Sequence, residues 1–186
     1  IVSVTGMALP RLLYKKYRII LYIPFGVKTQ MAKLQLSRIE SLQIKISSNI
    51  KKADVVVDCL FGSGLNRELD KESLALIDKM NKLKAYKIAC DIPSGINYLG
   101  QVKSEAYYAN TTITMGALKK SLFTDTAKQY IGKIKVADLG IQRRLYESKA
   151  LSFLLEINDL TLPVRDNKNS HKGTFGHLSV VVGEMT

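Results

Sequence analysis

The sequence lacks the segments that mark membrane and secreted proteins. No run approaches the roughly 18 apolar residues that a transmembrane helix needs, and the apolar stretch at 18–25 is short and opens with an arginine. No basic segment followed by a long apolar one stands at the amino terminus, so no secretory signal is predicted. The two cysteines, Cys59 and Cys90, lie in apolar runs and are expected to be buried, reduced thiols rather than a disulfide framework. These absences favour a cytoplasmic protein without membrane contact.

Common catalytic and nucleic-acid-binding motifs are missing as well. No G-x-S-x-G elbow supports a hydrolase, and FGSG at 61–64 is neither a G-x-G-x-x-G turn nor a phosphate-binding P-loop. His171 and His177 have no cysteine or acid nearby, which makes them a poor metal site. Aromatic RNA-binding motifs, zinc-finger spacing and helix-turn-helix patterns are not found.

Acidic residues are nearly absent from the first 53 positions. Ten lysines and arginines stand there against one acid, Glu40, whereas the rest of the chain is almost balanced. The net charge of +12 over 186 residues comes largely from this segment. A basic stripe suggests polyanions or phosphorylated ligands, with a solvated surface as the simpler explanation. Because no motif accompanies the charge, nucleic acid is not an expected partner.

Apolar β-rich runs alternate with amphipathic segments along most of the chain. The pattern predicts helices at 7–16, 28–39, 72–83 and 143–155, and strands at 18–23, 42–46, 53–60, 86–90, 111–115, 133–137 and 178–182. Strands separated by helices pair in parallel through right-handed crossovers, which predicts a doubly wound α/β sheet. The fold class expected is a Rossmann-like three-layer αβα sandwich with a mostly parallel sheet.

The pattern changes after residue 145. Residues 146–170 include a polar, turn-rich stretch and are interpreted as a linker, and residues 171–186 hold a fresh apolar strand. We therefore expect one domain over 1–145 and the beginning of a second over 171–186. The chain opens on Ile1 rather than methionine, and we expect both its first domain to be incomplete at the amino terminus and its second to be truncated.

Two segments that follow predicted strands resemble each other. VVVDCLFGSGLNRE at 55–68 and KIACDIPSGIN at 87–97 each place an aspartate, Asp58 or Asp91, at the end of a strand and then a glycine-containing turn. Parallel strands would bring both carboxylates to one edge of the sheet, where they can bind a cation or divide acid and base roles. The turn at 62–64 offers backbone N–H groups to a phosphate, with Arg67 within reach of the same anion. Ser94 adds a hard hydroxyl ligand. A helix cap or ordinary turn is the alternative for each aspartate.

These segments, together with TTITMGALK at 111–119 and KVADLGI at 135–141, resemble the motifs of the YjeF N-terminal family, the NAD(P)HX epimerases. HKGTFGHLSVVVGEMT at 171–186 resembles the opening of the ADP/ATP-dependent NAD(P)HX dehydratase domain to which that family is often fused. The resemblance implies interconversion of the R and S forms of NADH or NADPH hydrated on the nicotinamide ring. It also implies a bound potassium ion, with ADP or ATP used only by the dehydratase domain.

The resemblance assigns roles to individual residues. Asp58 and Ser94 match potassium ligands, and Asp91 matches the substrate-binding acid and is our candidate for acid/base catalysis. The substrate-binding loop is matched by Gly62, Ser63, Gly64, Leu65, Asn66, Arg67 and Glu68. We expect the hydrated dinucleotide as partner, with a homodimer left open.

One departure concerns the first five positions. The family has Asn-Asn-Gly-Gly-Asp before the glycine that matches Gly6, whereas this chain has Ile-Val-Ser-Val-Thr. We therefore expect the third potassium ligand and part of the phosphate cradle to be missing. The alternative to an epimerase is a non-catalytic module of the same fold that binds nucleotide, protein or RNA.

Overall fold

The computed structural model describes residues 4–142, 144–160, 168–176 and 179. The chain divides into two compact units, residues 1–149 and 150–186. The boundaries predicted at 145 and 170 stay predictions.

The first unit alternates helices with strands. The helices are α1 (Val4–Leu13), α2 (Gln30–Glu40), α3 (Lys71–Asn81), α4 (Lys128–Ile131) and α5 (Arg144–Glu147). The strands are β1 (Ile20–Tyr22), β2 (Lys45–Ser47), β3 (Val55–Asp58), β4 (Tyr86–Cys90), β5 (Thr111–Met115) and β6 (Lys133–Ala137). A short 3-10 helix covers Lys120–Phe123.

All of these strands pair in parallel, in two separate sheets. β1 pairs with β2, while β3, β4, β5 and β6 form a four-stranded sheet in chain order. Parallel sheets flanked by helices make a Rossmann-like α/β fold, which confirms the predicted class. Within the described residues the hydrogen-bonded ladder is not continuous between the two groups of strands, and Val55 on β3 is 49% exposed.

Helix caps and apolar faces explain where the main helices lie. Thr29 accepts a hydrogen bond from the amide of Ala32 at the start of α2, and Asp70 accepts one from Ser73 at the start of α3. The buried face of α3 then packs with one residue of β4 and with loop residues next to the strands into one core cluster, comprising Leu60, Leu76, Ile77, Met80, Ala89, Tyr107 and Ala109. This packing holds the ends of β3 and β4 in place.

The helix predicted for 143–155 is wrong over most of its length. Only Arg144–Glu147 is helical, and residue 143 lies outside the described residues. Leu151 and Phe153 are 98% and 85% exposed, so the apolar stripe that suggested a helix has little to pack against. Short helices in water depend on such packing for their stability.

The second unit contains two described 3-10 helices, Ile157–Asp159 and Lys172–Phe175. The strand predicted for 178–182 lies outside the described residues except for Ser179, which has no regular structure. Across the residues described in both units, no helix combines the length and apolar character required to span a bilayer.

Candidate functional site

The ends of β3 and β4 bring the two predicted segments together. Asp58, the last residue of β3, pairs with Ala89 on β4, and Asp91 follows β4 directly. Both aspartates therefore emerge at the carboxyl edge of the four-stranded sheet, where parallel α/β folds place their ligands. The next neighbour, β5, helps to position Asp91, because the Ile113 carbonyl accepts a hydrogen bond from the Asp91 amide at 2.8 Å.

Asp58 is buried and bound tightly to the turn after β4. Its Oδ2 accepts the Ser94 amide at 2.7 Å, and its Oδ1 accepts the Ser94 hydroxyl at 2.7 Å and the Leu60 amide at 3.1 Å. The Ser94 hydroxyl in turn accepts the Phe61 amide at 3.0 Å. The two predicted segments are thus joined through one carboxylate and one hydroxyl.

Gly95 explains how Ser94 is held in this position. Its φ of +104° is one that side chains rarely adopt, and an added Cβ would lie 2.7 Å from the Cα of Ala106. The Ser94 carbonyl also accepts the Tyr107 amide at 2.8 Å. Only glycine lets the turn pack this closely against residues 105–107, so the Pro-Ser-Gly sequence has a structural reason here.

The charge of Asp58 has no opposite partner among the described residues, where no lysine, arginine or histidine forms an ion pair with it. Burial raises the pKa of Asp58 above its ordinary value, against the lowering effect of the hydrogen bonds from Ser94 and Leu60. A carboxylate oxygen beside a hydroxyl oxygen is a donor set that suits a hard cation such as potassium. No group of three or more His, Cys, Asp or Glu side chains suited to a metal gathers in the described ranges.

Asp91 is more accessible and has a cationic partner. Its φ is +73°, a left-handed conformation that aspartate tolerates better than most residues. The Lys119 ammonium lies 2.6 Å from Oδ1, which also accepts the Met115 amide at 3.1 Å. Lys119 further donates to the Thr114 hydroxyl and the Met115 carbonyl. No described group hydrogen-bonds to Oδ2, so this oxygen is the one left for a ligand.

A cavity of about 220 Å³ adjoins Asp91. It is lined by Phe61, Gly62, Ser63, Gly64, Cys90, Asp91 and Met115. A Cβ placed on Gly64 would meet no atom within 4 Å, and one on Gly62 would lie 4.0 Å from Oδ2 of Asp91. The glycine turn therefore leaves open space directly in front of the free carboxylate oxygen.

The predicted substrate loop does not line this cavity along its whole length. Leu65 is buried, while Asn66, Arg67 and Glu68 border a separate, smaller recess. Arg67 lies 3.7 Å from Asp70, and Glu68 pairs with Lys103 at 3.1 Å, both on the surface. The structure thus places the first half of the loop beside Asp91 and the second half elsewhere.

Lys119 is the residue whose role the sequence did not reveal. Adjacent lysines are ordinarily surface residues, although Lys119 and Lys120 follow a predicted strand and could also face its ligand edge. The useful signal is position: a lysine four residues after the end of a parallel strand can reach back to that edge. Lys120 remains exposed.

Of the two cysteines, Cys90 lines the cavity and Cys59 does not. Both are free and half-buried rather than fully buried. Their mutual hydrogen bond raises the pKa of Cys59, as do burial and the charge of Asp58, and the same bond lowers the pKa of Cys90 against the effect of burial.

Comparison with known proteins settles the family. The family described as YjeF-related protein N-terminus matches residues 4–121, which is more than half of the chain. The chain belongs to this family.

Two relatives of this YjeF-related chain are named for NAD(P)H-hydrate repair or epimerisation. It is 38% identical over 186 residues to the bifunctional NAD(P)H-hydrate repair enzyme Nnr of Helicobacter pylori, covering 96% of this chain and 40% of the relative. It is 32% identical over 143 residues to the NAD(P)H-hydrate epimerase of Oenococcus oeni, covering 73% and 68%. The chain thus spans well under half the length of the Helicobacter protein.

A solved structure supports the fold. The crystal structure of yeast ynu0, YNL200c, superposes with a TM-score of 0.58 at 14% identity, covering 70% of this chain and 58% of the yeast chain.

Proposed function

We propose that this YjeF-related chain is an NAD(P)H-hydrate epimerase, which interconverts the R and S forms of hydrated NADH or NADPH. The observation that carries the proposal is Asp91, whose free Oδ2 faces an open cavity while Lys119 and the Met115 amide occupy Oδ1. Relatives named as epimerases and as bifunctional repair enzymes support the substrate. They also favour an enzyme over a non-catalytic binding module.

The reaction requires proton transfer to and from an atom bonded to the hydrated carbon. That carbon bears a hydroxyl group and is bonded to the ring nitrogen, so inversion proceeds by loss of the hydroxyl or by opening of the carbon–nitrogen bond. Either route needs a proton delivered to the departing atom and later removed, which is the task of a general acid and base. Asp91 performs this transfer through Oδ2, and Lys119 holds the carboxylate in place.

The glycine turn at 62–64 provides room and backbone N–H groups for the dinucleotide next to the reacting ring. The remainder of the proposed substrate loop, residues 65–68, contacts more distant parts of the ligand. The basic segment at 1–53 contributes a positive field that favours a pyrophosphate.

A potassium ion is part of the proposal. Asp58 and Ser94 would hold it, since they supply adjacent carboxylate and hydroxyl oxygens and the buried charge of Asp58 has no described cationic partner. When bound, the ion would neutralise that charge at the edge of the substrate site. The proposal also includes a cytoplasmic location and an ADP- or ATP-dependent dehydratase domain that begins at 171–186. A homodimer is left open.

The test is an epimerisation assay on purified chain. One form of hydrated NADH is supplied, and its approach to the R/S equilibrium is followed by liquid chromatography, with potassium chloride or choline chloride at equal ionic strength. We expect acceleration over the protein-free rate, larger with potassium. Folded protein that binds the nucleotide without acceleration would instead establish the non-catalytic module.

A further inference from the structure

Cys59 and Cys90 lie at the ends of two neighbouring parallel strands. The register pairs Asp58 with Ala89, and continuing it by one residue places Cys59, which directly follows β3, opposite Cys90, the last residue of β4. Adjacent strands lie about 4.8 Å apart, and a disulfide accepts Cα separations of about 4.4–6.8 Å. Side chains at paired positions of neighbouring parallel strands project to the same face of the sheet. The backbone spacing is therefore compatible with a bond between them.

The two thiols differ in access. Cys90 lines the cavity together with Asp91, whereas Cys59 does not line it. A small polar reagent entering the cavity therefore meets the sulfur of Cys90 first, with Cys59 behind it as the second thiol. These are also the two cysteines of the chain, so no other thiol of the same molecule competes.

We propose that Cys59 and Cys90 form a peroxide-sensitive modification site in the wall of the Asp91 cavity. Cys90, having lost its proton to solvent, attacks one oxygen of a hydroperoxide. The O–O bond breaks, a sulfenic acid forms, and the departing oxygen leaves as hydroxide that becomes water. Cys59 then attacks the sulfenic sulfur, the S–O bond breaks, and a second water leaves. With hydrogen peroxide, two thiols are oxidised by two electrons and one peroxide is reduced to two waters.

The disulfide changes the substrate site because each cysteine adjoins one of the two carboxylates. Cys59 follows Asp58 and Cys90 precedes Asp91. Drawing the sulfurs together to about 2.05 Å removes the Cys90 thiol from the cavity wall and ties the two strand ends covalently. The expected several-fold fall in epimerase activity, reversed by dithiothreitol, rests on the proposed function. The thiol chemistry itself does not.

The experiment uses hydrogen peroxide and intact-mass spectrometry on the full chain. In the wild type we expect loss of two hydrogens, disappearance of both alkylatable thiols, and a cross-link between tryptic peptides 53–67 and 88–103, all reversed by dithiothreitol. In Cys59→Ser, dimedone should trap a sulfenic acid on Cys90. In Cys90→Ser, the matched control, modification should be at least tenfold slower. Circular dichroism checks that each variant is folded.

Three results would overturn the proposal. The first is oxidation of Cys90 to sulfinic acid at the same rate in the wild type and in Cys59→Ser. The second is a non-reducing gel that shows disulfides only between chains, and the third is a pair of thiols that stay unmodified at peroxide concentrations that oxidise free cysteine. Because peptide mapping needs the wild type alone, it decides the matter even if a serine variant does not fold. A reduced chain that is an active epimerase but forms no cross-link under peroxide would reject the cysteine site alone. A chain that forms the cross-link but has no epimerase activity even when reduced would reject the proposed function alone.

Discussion

Asp58 and Asp91 leave adjacent strands at the same edge of the sheet, yet their surroundings are opposite. Asp58 is buried and all its described hydrogen bonds come from uncharged groups, namely the Ser94 amide and hydroxyl and the Leu60 amide. Asp91 is partly accessible, bears a lysine on one oxygen and leaves the other oxygen free. Two similar strand-end motifs in the sequence therefore form a structural carboxylate and a chemically available one.

The difference shows how packing divides roles between like residues. Asp58 joins the turn after β3 to the turn after β4, so its hydrogen bonds stabilise the edge on which the site is built. Asp91 sits on that edge with an oxygen free to exchange a proton. Separate environments for two carboxylates are the usual way in which proteins assign them different tasks.

The largest effect expected is on stability, from Asp58→Ala. Removing the carboxylate leaves the Ser94 hydroxyl and the Ser94 and Leu60 amides without their acceptor, which costs about 2–4 kcal/mol. Urea denaturation should report this as a lower midpoint at unchanged slope. Asp91→Asn, which keeps the left-handed backbone on the other strand, should change the free energy of unfolding by less than about 1 kcal/mol. Equal losses in both variants would contradict the division of roles.

The second prediction concerns activity, for which Asp91 is the residue that matters. Asp91→Asn keeps the left-handed backbone but cannot exchange the proton, so the epimerisation rate should fall by about 100-fold or more. Asp138→Asn is the control, because Asp138 also follows a strand and, among the described residues, accepts a hydrogen bond from the Gly140 amide alone. Full activity in Asp91→Asn would remove Asp91 from the mechanism.

A smaller loss is expected for Lys119→Met. The variant loses the cation at 2.6 Å from Oδ1, so the carboxylate is held less firmly and the rate should fall by about tenfold. Lys119→Arg, which preserves the charge, should recover part of the rate, and exposed Lys120→Met should behave like the wild type. A loss of the same size in Lys120→Met would show that general surface charge, rather than this contact, is responsible.

The smallest effect concerns pH. Because burial raises the pKa of Asp58 in the folded chain, the folded state holds a proton that the unfolded state has released. The contribution of Asp58 to the free energy of unfolding is present in full below the ordinary aspartate pKa of the unfolded chain. It is lost as the pH rises through the raised pKa of the folded chain. Relative to Asp58→Asn, the wild type should therefore gain stability as pH falls from 7 towards 4, as measured by thermal melting. A difference that is flat or grows with pH would contradict this sign.

The sequence predicted the centre of the fold well, and the reasons are local. Strands β4, β5 and β6 begin and end at the predicted residues because β-branched runs are closed there by turn-forming residues. The helix at 143–155 was wrong because its apolar spacing requires a partner surface, and spacing alone does not show whether one exists.

The site was harder to predict for a related reason. Sequence placed Asp58 and Asp91 on one edge, but the hydrogen bonds of Asp58 come mainly from Ser94, 36 positions away, and the partner of Asp91 is Lys119, 28 positions away. Such long-range contacts depend on how closely each turn packs against its neighbours, as Gly95 does against Ala106.

The left-handed backbone at residue 91 has an evolutionary consequence. Asparagine and glycine are the other residues that adopt this conformation readily, and each is one nucleotide away from an aspartate codon. A single point mutation could therefore abolish proton transfer while leaving the chain folded and its cavity open. A gene copy of this kind would encode a folded protein with an intact cavity and no carboxylate at position 91.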